Sequence, residues 1–192
     1  MHPRIPPQVI PDQGVRRLDD DRLGAGLGAV VAGARRRAVR DGDRHIDTAH
    51  LLHSLLESDP DVRAAFAPAQ VARLLGYLVQ RSIGYGLRWQ GSVEDSGAVP
   101  VVSPAEGCSP LASLALHAAL DRAARHGRAP RGGDLLAGLV AEPSARAVQV
   151  LERAGTDARE LAARLDREPS TDLPEPSTDL PEPSTDLGAS SR

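Results

Sequence analysis

Apolar residues in the first third of the chain recur at the spacing of an amphipathic helix. Residues 51–56 carry four leucines at positions i, i+1, i+4 and i+5, which fall on one helical face. Thr48, just upstream, is a residue type favoured at helix N-caps. Before it, small or apolar side chains recur every third or fourth residue from Val31 and end at Gly42, as at a glycine C′ position. The pattern predicts two consecutive helices.

The same pattern returns further along the chain, at an offset of 84 for the Leu-rich stretch and 85 for the stretch before it. Duplication at this length favours two helical halves related by a pseudo-twofold axis over a stacked array of short repeats. The matched positions are Val31, Ala34, Ala38 and Gly42 with Leu116, Ala119, Ala123 and Gly127, and Leu51, Leu52, Leu55 and Leu56 with Leu135, Leu136, Leu139 and Val140.

Each copy continues with two further helices. In the first, residues 62–66 form a short helix that Pro68 interrupts before a longer one begins; in the second, Ser144 caps a helix that stops at Gly155, and another follows. Aromatic residues make up only 2% of the chain, so Ala, Leu and Val must form the core, which favours closely packed helices. We therefore predict an all-α fold of two pseudo-twofold repeats, each with about four short helices.

The domain organisation follows from these repeats and from changes in composition. Residues 168–187 repeat the heptapeptide EPSTDLP, whose two prolines per unit prevent a continuous helix, and the acidic tail 168–192 is predicted to be disordered. It could serve as a spacer, a docking segment or a kinase substrate, or be a neutral expansion. The predicted segments are a disordered N-terminal segment (1–22), a first repeat (23–83), a Gly-rich linker loop (84–108), a second repeat (109–167) and the tail (168–192).

Composition and charge exclude several classes of protein. All 23 basic residues are Arg, and without Lys the chain cannot form a Walker-type phosphate loop. The formal net charge is −3, of which the tail contributes −5, so residues 1–167 carry +2, too little to indicate a nucleic-acid partner. There is no apolar run of 18 residues and no signal-peptide pattern, so we expect a soluble, cytoplasmic protein with no membrane partner.

Candidate catalytic and metal-binding residues are few. His45, His50 and His53 lie close together, and with Asp47 they could form a zinc site, but no H-E-x-x-H motif is present and His50 is better interpreted as a structural hydrogen-bonding residue. The single cysteine, Cys108, cannot form an internal disulfide and lacks a nucleophile motif, which indicates a buried thiol. We predict no enzyme activity, no cofactor and no metal.

At the duplicated motifs the sequence resembles the N-terminal domain of Clp-type unfoldases, especially the ClpC branch. That family repeats a helix ending in A-x-x-x-G-H, then I-x-T-E-H and a Leu-rich helix, with a later helix ending in L-x-x-x-G. Here residues 38–42 read AVRDG, residues 46–50 read IDTAH, and residues 144–155 read SARAVQVLERAG. Cys108-Ser109-Pro110 stands where the family has an aromatic-Thr-Pro helix start. The resemblance covers about residues 23–165.

The resemblance implies a non-enzymatic module that captures substrates or adaptors for a ring unfoldase, here as a stand-alone relative without ATPase modules. ClpC-like domains recognise phosphorylated arginine through the Glu of T-E-H and the Thr before Pro, because a carboxylate accepts guanidinium N–H donors in a charge-assisted pair. The corresponding positions here are Ala49, Gly133, Gly24 and Ser109, so three of four have lost that chemistry. We expect phosphoarginine binding to be absent or weak.

The resemblance also implies a groove between the first helices of the two copies that binds adaptors and certain cyclic peptides. Two of its positions have a competing structural interpretation: Val31 as a core residue, and Ser109 as a helix N-cap with Pro110 at N1. Trp89, in the linker, is either an interface anchor or packed beneath its own loop. The candidate partner-binding residues are Val31, Arg35, Cys108, Ser109, Ser113, His117 and Trp89.

Three functions remain after these observations. The first is an adaptor or modulator that binds components of a Clp ATPase–protease or presents client proteins to it. The second is a decoy that sequesters cyclic peptides directed at the unfoldase. The third and weakest is a DNA-associated regulator acting through the arginines of residues 35–40, for which the low net charge gives little support.

Overall fold

The computed structural model describes residues 20–82, 93–94 and 107–167, and within these residues it is all-α. Four helices precede the linker and four follow it, in agreement with the predicted fold class. They are α1 (Asp20–Asp41), α2 (Thr48–Ser58), α3 (Pro60–Ala64), α4 (Pro68–Ser82), α5 (Pro110–Arg125), α6 (Gly132–Val140), α7 (Arg146–Arg153) and α8 (Ala158–Arg167). Trp89, the tail and most of the linker lie outside the described residues.

Glycines end three of the helices, as the sequence predicts. Gly42, Gly127 and Gly155 follow α1, α5 and α7 with φ values of 76°, 62° and 77°. Glycine is the residue that adopts this left-handed conformation without a Cβ penalty, so it closes a helix cleanly. The first two glycines also hold corresponding positions in the two copies of the sequence pattern.

Two of the predicted helix starts are wrong. Asp47, not Thr48, is the N-cap of α2, and its Oδ1 accepts from the His50 amide at 2.9 Å. In the second case α7 begins at Arg146, and the Ser144 hydroxyl donates instead to the Glu142 carboxylate at 2.8 Å. Thr48 is therefore the first residue of α2, and Ser144 lies two residues before the first residue of α7, so neither is an N-cap.

Two other helix starts agree more closely with the sequence pattern. Ser109 caps α5, accepting from the Ala112 amide at 3.1 Å, with Pro110 in the first helical turn. The first helix begins at Asp20, three residues before the predicted boundary, but it kinks at Gly24, which has φ 65° and ψ 172°. The regular part of α1 thus starts just after Gly24.

The larger of two core clusters is rich in leucine and alanine and draws side chains from all eight described helices, while Leu111, Ala145, Val148 and Ala158 form a smaller one. Helix α2 is central, since every residue from Thr48 to Leu56 is buried, and it packs against helices from both halves of the chain. The largest fully buried side chains are all leucines: Leu23, Leu27, Leu51, Leu52, Leu55, Leu56, Leu74, Leu78, Leu116, Leu135, Leu136 and Leu139. Within the described residues, no helix combines the length and apolarity needed to cross a bilayer.

Small residues bring the two helix pairs α1–α2 and α5–α6 into close contact. Gly33 of α1 faces Ser54 of α2, and Gly138 of α6 faces the backbone of Ala115 in α5, so neither glycine has room for a Cβ atom. Ser54 and Gly138 are 84 residues apart, which is the offset of the sequence repeat. Each copy therefore places a small residue where its second helix meets its first.

Candidate functional site

The N-termini of α2, α5 and α7 converge on one buried polar cluster. The segments that precede α2 and α5 are held together by a short parallel bridge, in which Ile46 donates to the Gly107 carbonyl and Ser109 donates to the Ile46 carbonyl, both at 2.8 Å. This bridge places the start of α2 beside the start of α5. It joins the first half of the chain to the second.

Glu94, from the linker, places its carboxylate at this convergence, and the residue is only 5% exposed. Its Oε2 accepts from the Thr48 amide at 2.8 Å and from the Ser109 hydroxyl at 3.1 Å. Its Oε1 accepts from the Arg146 amide at 2.6 Å and from the Thr48 hydroxyl. Four donors thus serve the four lone-pair positions of one carboxylate.

The hydroxyl groups of Thr48 and Ser109 both donate to Glu94. Thr48 Oγ1 accepts from the Ala147 amide at 3.0 Å, and Ser109 Oγ accepts from the Ala112 amide. Because a carboxylate can only accept, each hydroxyl hydrogen is directed to Glu94, while the hydroxyl oxygen accepts from a backbone N–H through a lone pair. Helix N-termini favour negative charge, so three of them meeting at one carboxylate is an electrostatically matched arrangement.

A buried ion pair lies beside this carboxylate. The Arg146 guanidinium donates to Asp47 Oδ2 at 2.6 Å, with the two residues 6% and 2% exposed. Because the other Asp47 oxygen caps α2, this aspartate ties the start of α2 to the start of α7. We call Asp47, Thr48, Glu94, Ser109 and Arg146 together the N-terminal junction.

A cavity of about 290 Å³ opens beside the junction. Four junction residues line it, together with residues from the loop between α1 and α2 and Val93 from the linker. The lining residues are Gly42, Asp43, Arg44, His45, Asp47, Val93, Glu94, Ser109 and Arg146.

His50 makes the local structural hydrogen bond that the sequence predicts. Its Nδ1 accepts from the Asp47 amide at 3.1 Å, completing a reciprocal cap, and its Nε2 lies 3.4 Å from Asp43 Oδ2. Asp43, Asp47 and His50 could each offer an atom to a cation, with those atoms within 4.8 Å of one another. A cation there would compete with the Arg146 guanidinium and the His50 amide for Asp47, so we assign no metal.

The other two histidines of the sequence hypothesis lie outside that group. His45 is exposed in the loop before α2. His53 is buried, with Nε2 at 3.1 Å from Glu57 Oε1. Burial, together with the positive charges of Arg37 and Arg40, lowers the pKa of His53 to about 4, so the imidazole is neutral near pH 7.

The second half carries a cap that corresponds to His50. Asp134, 84 residues later, accepts from the Arg131 amide at 2.9 Å, and Arg128 donates to both of its oxygens at 2.6 and 2.8 Å. Burial alone would raise the pKa of Asp134, but the bonds from Arg128 and Arg131 lower it. Both Leu-rich helices thus begin with a third-residue side chain that bonds back to the N-cap amide.

The positions that correspond to the phosphoarginine pocket offer little to a guanidinium or a phosphate. Ala49 is fully buried, and Gly133 is half-buried with open space where a Cβ would stand. Gly24 is the kink of α1. The Ser109 hydroxyl is already engaged with Ala112 and Glu94.

Most of the candidate partner-binding residues are buried. Val31, Cys108, Ser109, Ser113 and His117 are at most 8% exposed, and Val31 belongs to the core cluster. Arg35 is exposed, and it lies near enough to Cys108 to influence the thiol. On α5, Leu114 is the large apolar side chain that stays exposed, at 43%.

Cys108 is predicted to react slowly. Burial raises the pKa of its thiol to about 11 from 9.0, although the positive charge of Arg35 opposes the shift. The thiolate fraction at pH 8 should therefore be roughly 100-fold below that of an ordinary cysteine. We expect iodoacetamide to alkylate the native chain far more slowly than the urea-unfolded chain, as followed by mass spectrometry. Equal rates would contradict the buried-thiol interpretation.

Two residues that connect the helix starts at the junction, Glu94 and Arg146, were not predicted from the sequence. Glu94 stands in a Gly-rich stretch with no periodicity around it, and Arg146 is one of 23 arginines. No local signal marks either one.

In comparisons with known proteins, no family model and no curated protein matches this chain.

Proposed function

We propose that this chain is a non-enzymatic module that binds proteins or peptides, and that it modulates or feeds a Clp-type unfoldase–protease in the cytoplasm. The observation that carries the proposal is the correspondence between the two halves. Four described helices precede the linker and four follow it, the first helix of each set ends at a glycine, and each Leu-rich helix begins with a side chain that bonds back to its N-cap amide. This order and duplication is what the Clp N-terminal resemblance implies.

The state of the polar groups supports a binding role over a catalytic one. At the junction, the Glu94 carboxylate accepts four hydrogen bonds and Asp47 is paired with Arg146. A catalytic nucleophile or general base must be able to reach the substrate atom that it attacks or deprotonates. The Cys108 thiol is buried and its pKa is raised, so it does not meet this requirement.

The proposal is tested by measuring degradation of a fluorescent client by a purified ClpC-type unfoldase and its protease, with and without the full chain. A modulator changes the degradation rate in a saturable way, while the unfoldase alone continues to hydrolyse ATP. No change with any client or adaptor would overturn the proposal. Protection of the unfoldase from cyclic peptides, without an effect on degradation, would favour the decoy function instead.

Phosphoarginine binding is expected to be absent or weak. Ala49 and Gly133 provide no carboxylate for the guanidinium, so the charge-assisted pair cannot form. Calorimetric titration of the chain with a phosphoarginine peptide should give no saturable heat, with the unphosphorylated peptide as the matched control. A micromolar Kd for the phosphorylated peptide alone would contradict this expectation.

A further inference from the structure

We propose that an exposed, arginine-rich face of α1 is a docking surface for the acidic repeat of the same chain, residues 168–187. The contact is intramolecular, and it is held by opposite charge and by a leucine of the repeat. The inference concerns α1 and the tail alone and does not depend on a Clp-type partner.

Four exposed side chains lie together on one side of α1, namely Arg35, Arg36, Val39 and Arg40. Residues three and four apart are neighbours on a helix surface, so Val39 lies beside Arg35 and Arg36, and Arg36 lies beside Arg40. Val39 is 74% exposed, which makes it the most exposed of the large apolar side chains in the described residues. We call these four residues the basic face.

The arginines of the basic face have little local neutralisation. Arg40 Nε lies 3.6 Å from Asp41 Oδ1, and within the described residues no carboxylate forms an ion pair with the other two. By contrast, Arg37 is partly buried and pairs with Glu57 of α2. The helix dipole favours Arg40 in the last turn of α1, but it acts within that turn and does not account for the other two.

The crowding of positive charge also affects a neighbouring group. Burial lowers the pKa of Arg37, and the charges of Arg40 and Arg36 lower it as well, while Asp41 opposes them. Cations disfavour the charged form of a nearby base, so this part of α1 carries an excess of positive charge. An acidic segment placed on the basic face would reduce that excess.

The tail has the complementary pattern. Residues 168–192 contain six acidic residues and one arginine, whereas the rest of the chain carries a net charge of +2. An aspartate can pair with an arginine of the basic face in a charge-assisted hydrogen bond, while an adjoining leucine covers Val39. Each repeat supplies such a pair, at Asp172 and Leu173, Asp179 and Leu180, and Asp186 and Leu187.

The tail is also long enough to reach the basic face. Helix α8 ends at Arg167, and the 20 residues of the repeat follow it directly. Fully extended, they span roughly 65 Å, whereas a domain of this size has a radius of gyration of about 15 Å. Covalent attachment gives an effective concentration of about a millimolar, so a contact that is weak between separate molecules is populated within one chain.

The test is paramagnetic broadening in the full chain, with a nitroxide attached through Ser177→Cys in the middle repeat. The buried Cys108 thiol reacts slowly, and the wild type taken through the same labelling gives the background. Amide NMR signals of residues 35–40 should lose most of their intensity relative to the reduced label. The loss should disappear at about 1 M salt, where the Debye length is about 3 Å.

Two sets of substitutions identify the charges responsible. Replacing the three arginines of the basic face with glutamine should remove most of the broadening. The matched control replaces three exposed arginines elsewhere, Arg125, Arg153 and Arg159, and should retain it. A second variant leaves the helices untouched and changes every acid of the tail to its amide, which should also remove the broadening. The acids are Glu168, Asp172, Glu175, Asp179, Glu182 and Asp186.

Equal broadening in the two arginine variants would overturn the proposal, as would broadening that survives both high salt and the amide tail. A labelled chain that broadens α1 only in a second, unlabelled chain would assign the surface to another copy and contradict intramolecular docking. Absence of broadening, together with retardation of duplex DNA by the full chain at low salt, would assign the basic face to nucleic acid instead.

Discussion

Replacing Arg146 with methionine should lower the free energy of unfolding by about 3–5 kcal/mol. Asp47 is 2% exposed, and its Oδ2 accepts from the Arg146 guanidinium at 2.6 Å. Methionine keeps much of the side-chain length but removes the charge, which leaves a buried carboxylate without its counter-ion. Urea unfolding of the two chains, followed by circular dichroism, measures the difference.

The control for this substitution is Arg159→Met, which removes an exposed arginine of α8. Surface changes of this kind usually alter stability by less than about 0.5 kcal/mol. Adding Asp47→Asn to Arg146→Met should recover part of the loss, because asparagine still caps α2 and position 47 no longer carries an unpaired carboxylate. Equal losses for Arg146→Met and Arg159→Met would show that the ion pair is not buried as described.

Gly138→Ala should also destabilise the chain, by about 1–3 kcal/mol, because it overpacks the contact between α5 and α6. A Cβ at Gly138 would lie 3.1 Å from the Ala115 carbonyl carbon and closer still to its oxygen. Both atoms belong to the backbone of α5, so no side-chain rotation relieves the clash and the helices must move apart. Thermal and urea unfolding both report the change.

Gly133→Ala is the matched control, since it makes the same substitution in the same helix where nothing lies within 4 Å of the added Cβ. Alanine is the better helix former, so this variant should be neutral or more stable by up to about 1 kcal/mol. Similar effects from the two substitutions would contradict the close approach of α5 and α6. Opposite signs are the expected result.

The helices could be predicted because their signals are local. The i, i+1, i+4, i+5 leucines of α2 and α6 and the glycines at positions 42 and 127 mark helix faces and helix ends within a few residues. Each of these features depends on the 3.6-residue period of the helix or on the left-handed backbone conformation that glycine adopts. Neither requires knowledge of what the helix packs against.

The junction could not be predicted, because its bonds join residues far apart in the chain. Arg146 pairs with Asp47 from 99 residues away, and Glu94 reaches Thr48 from 46 residues away. The two errors in assigning helix caps have a similar origin. Thr48 and Ser144 are good N-cap residues by type, but Thr48 is engaged by Glu94 and Ala147, and Ser144 by Glu142. Which polar residue caps a helix is decided by the partners that folding brings to it.

The most direct test of the proposed role is whether the full chain binds a purified ClpC-type ATPase in solution. Sedimentation velocity of a labelled chain, titrated with the assembled ATPase, separates free chain from complex without relying on enzymatic activity. We expect saturable binding of the folded chain to the ATPase. A chain that is fully folded yet sediments as the free species at every ATPase concentration would contradict the proposed role.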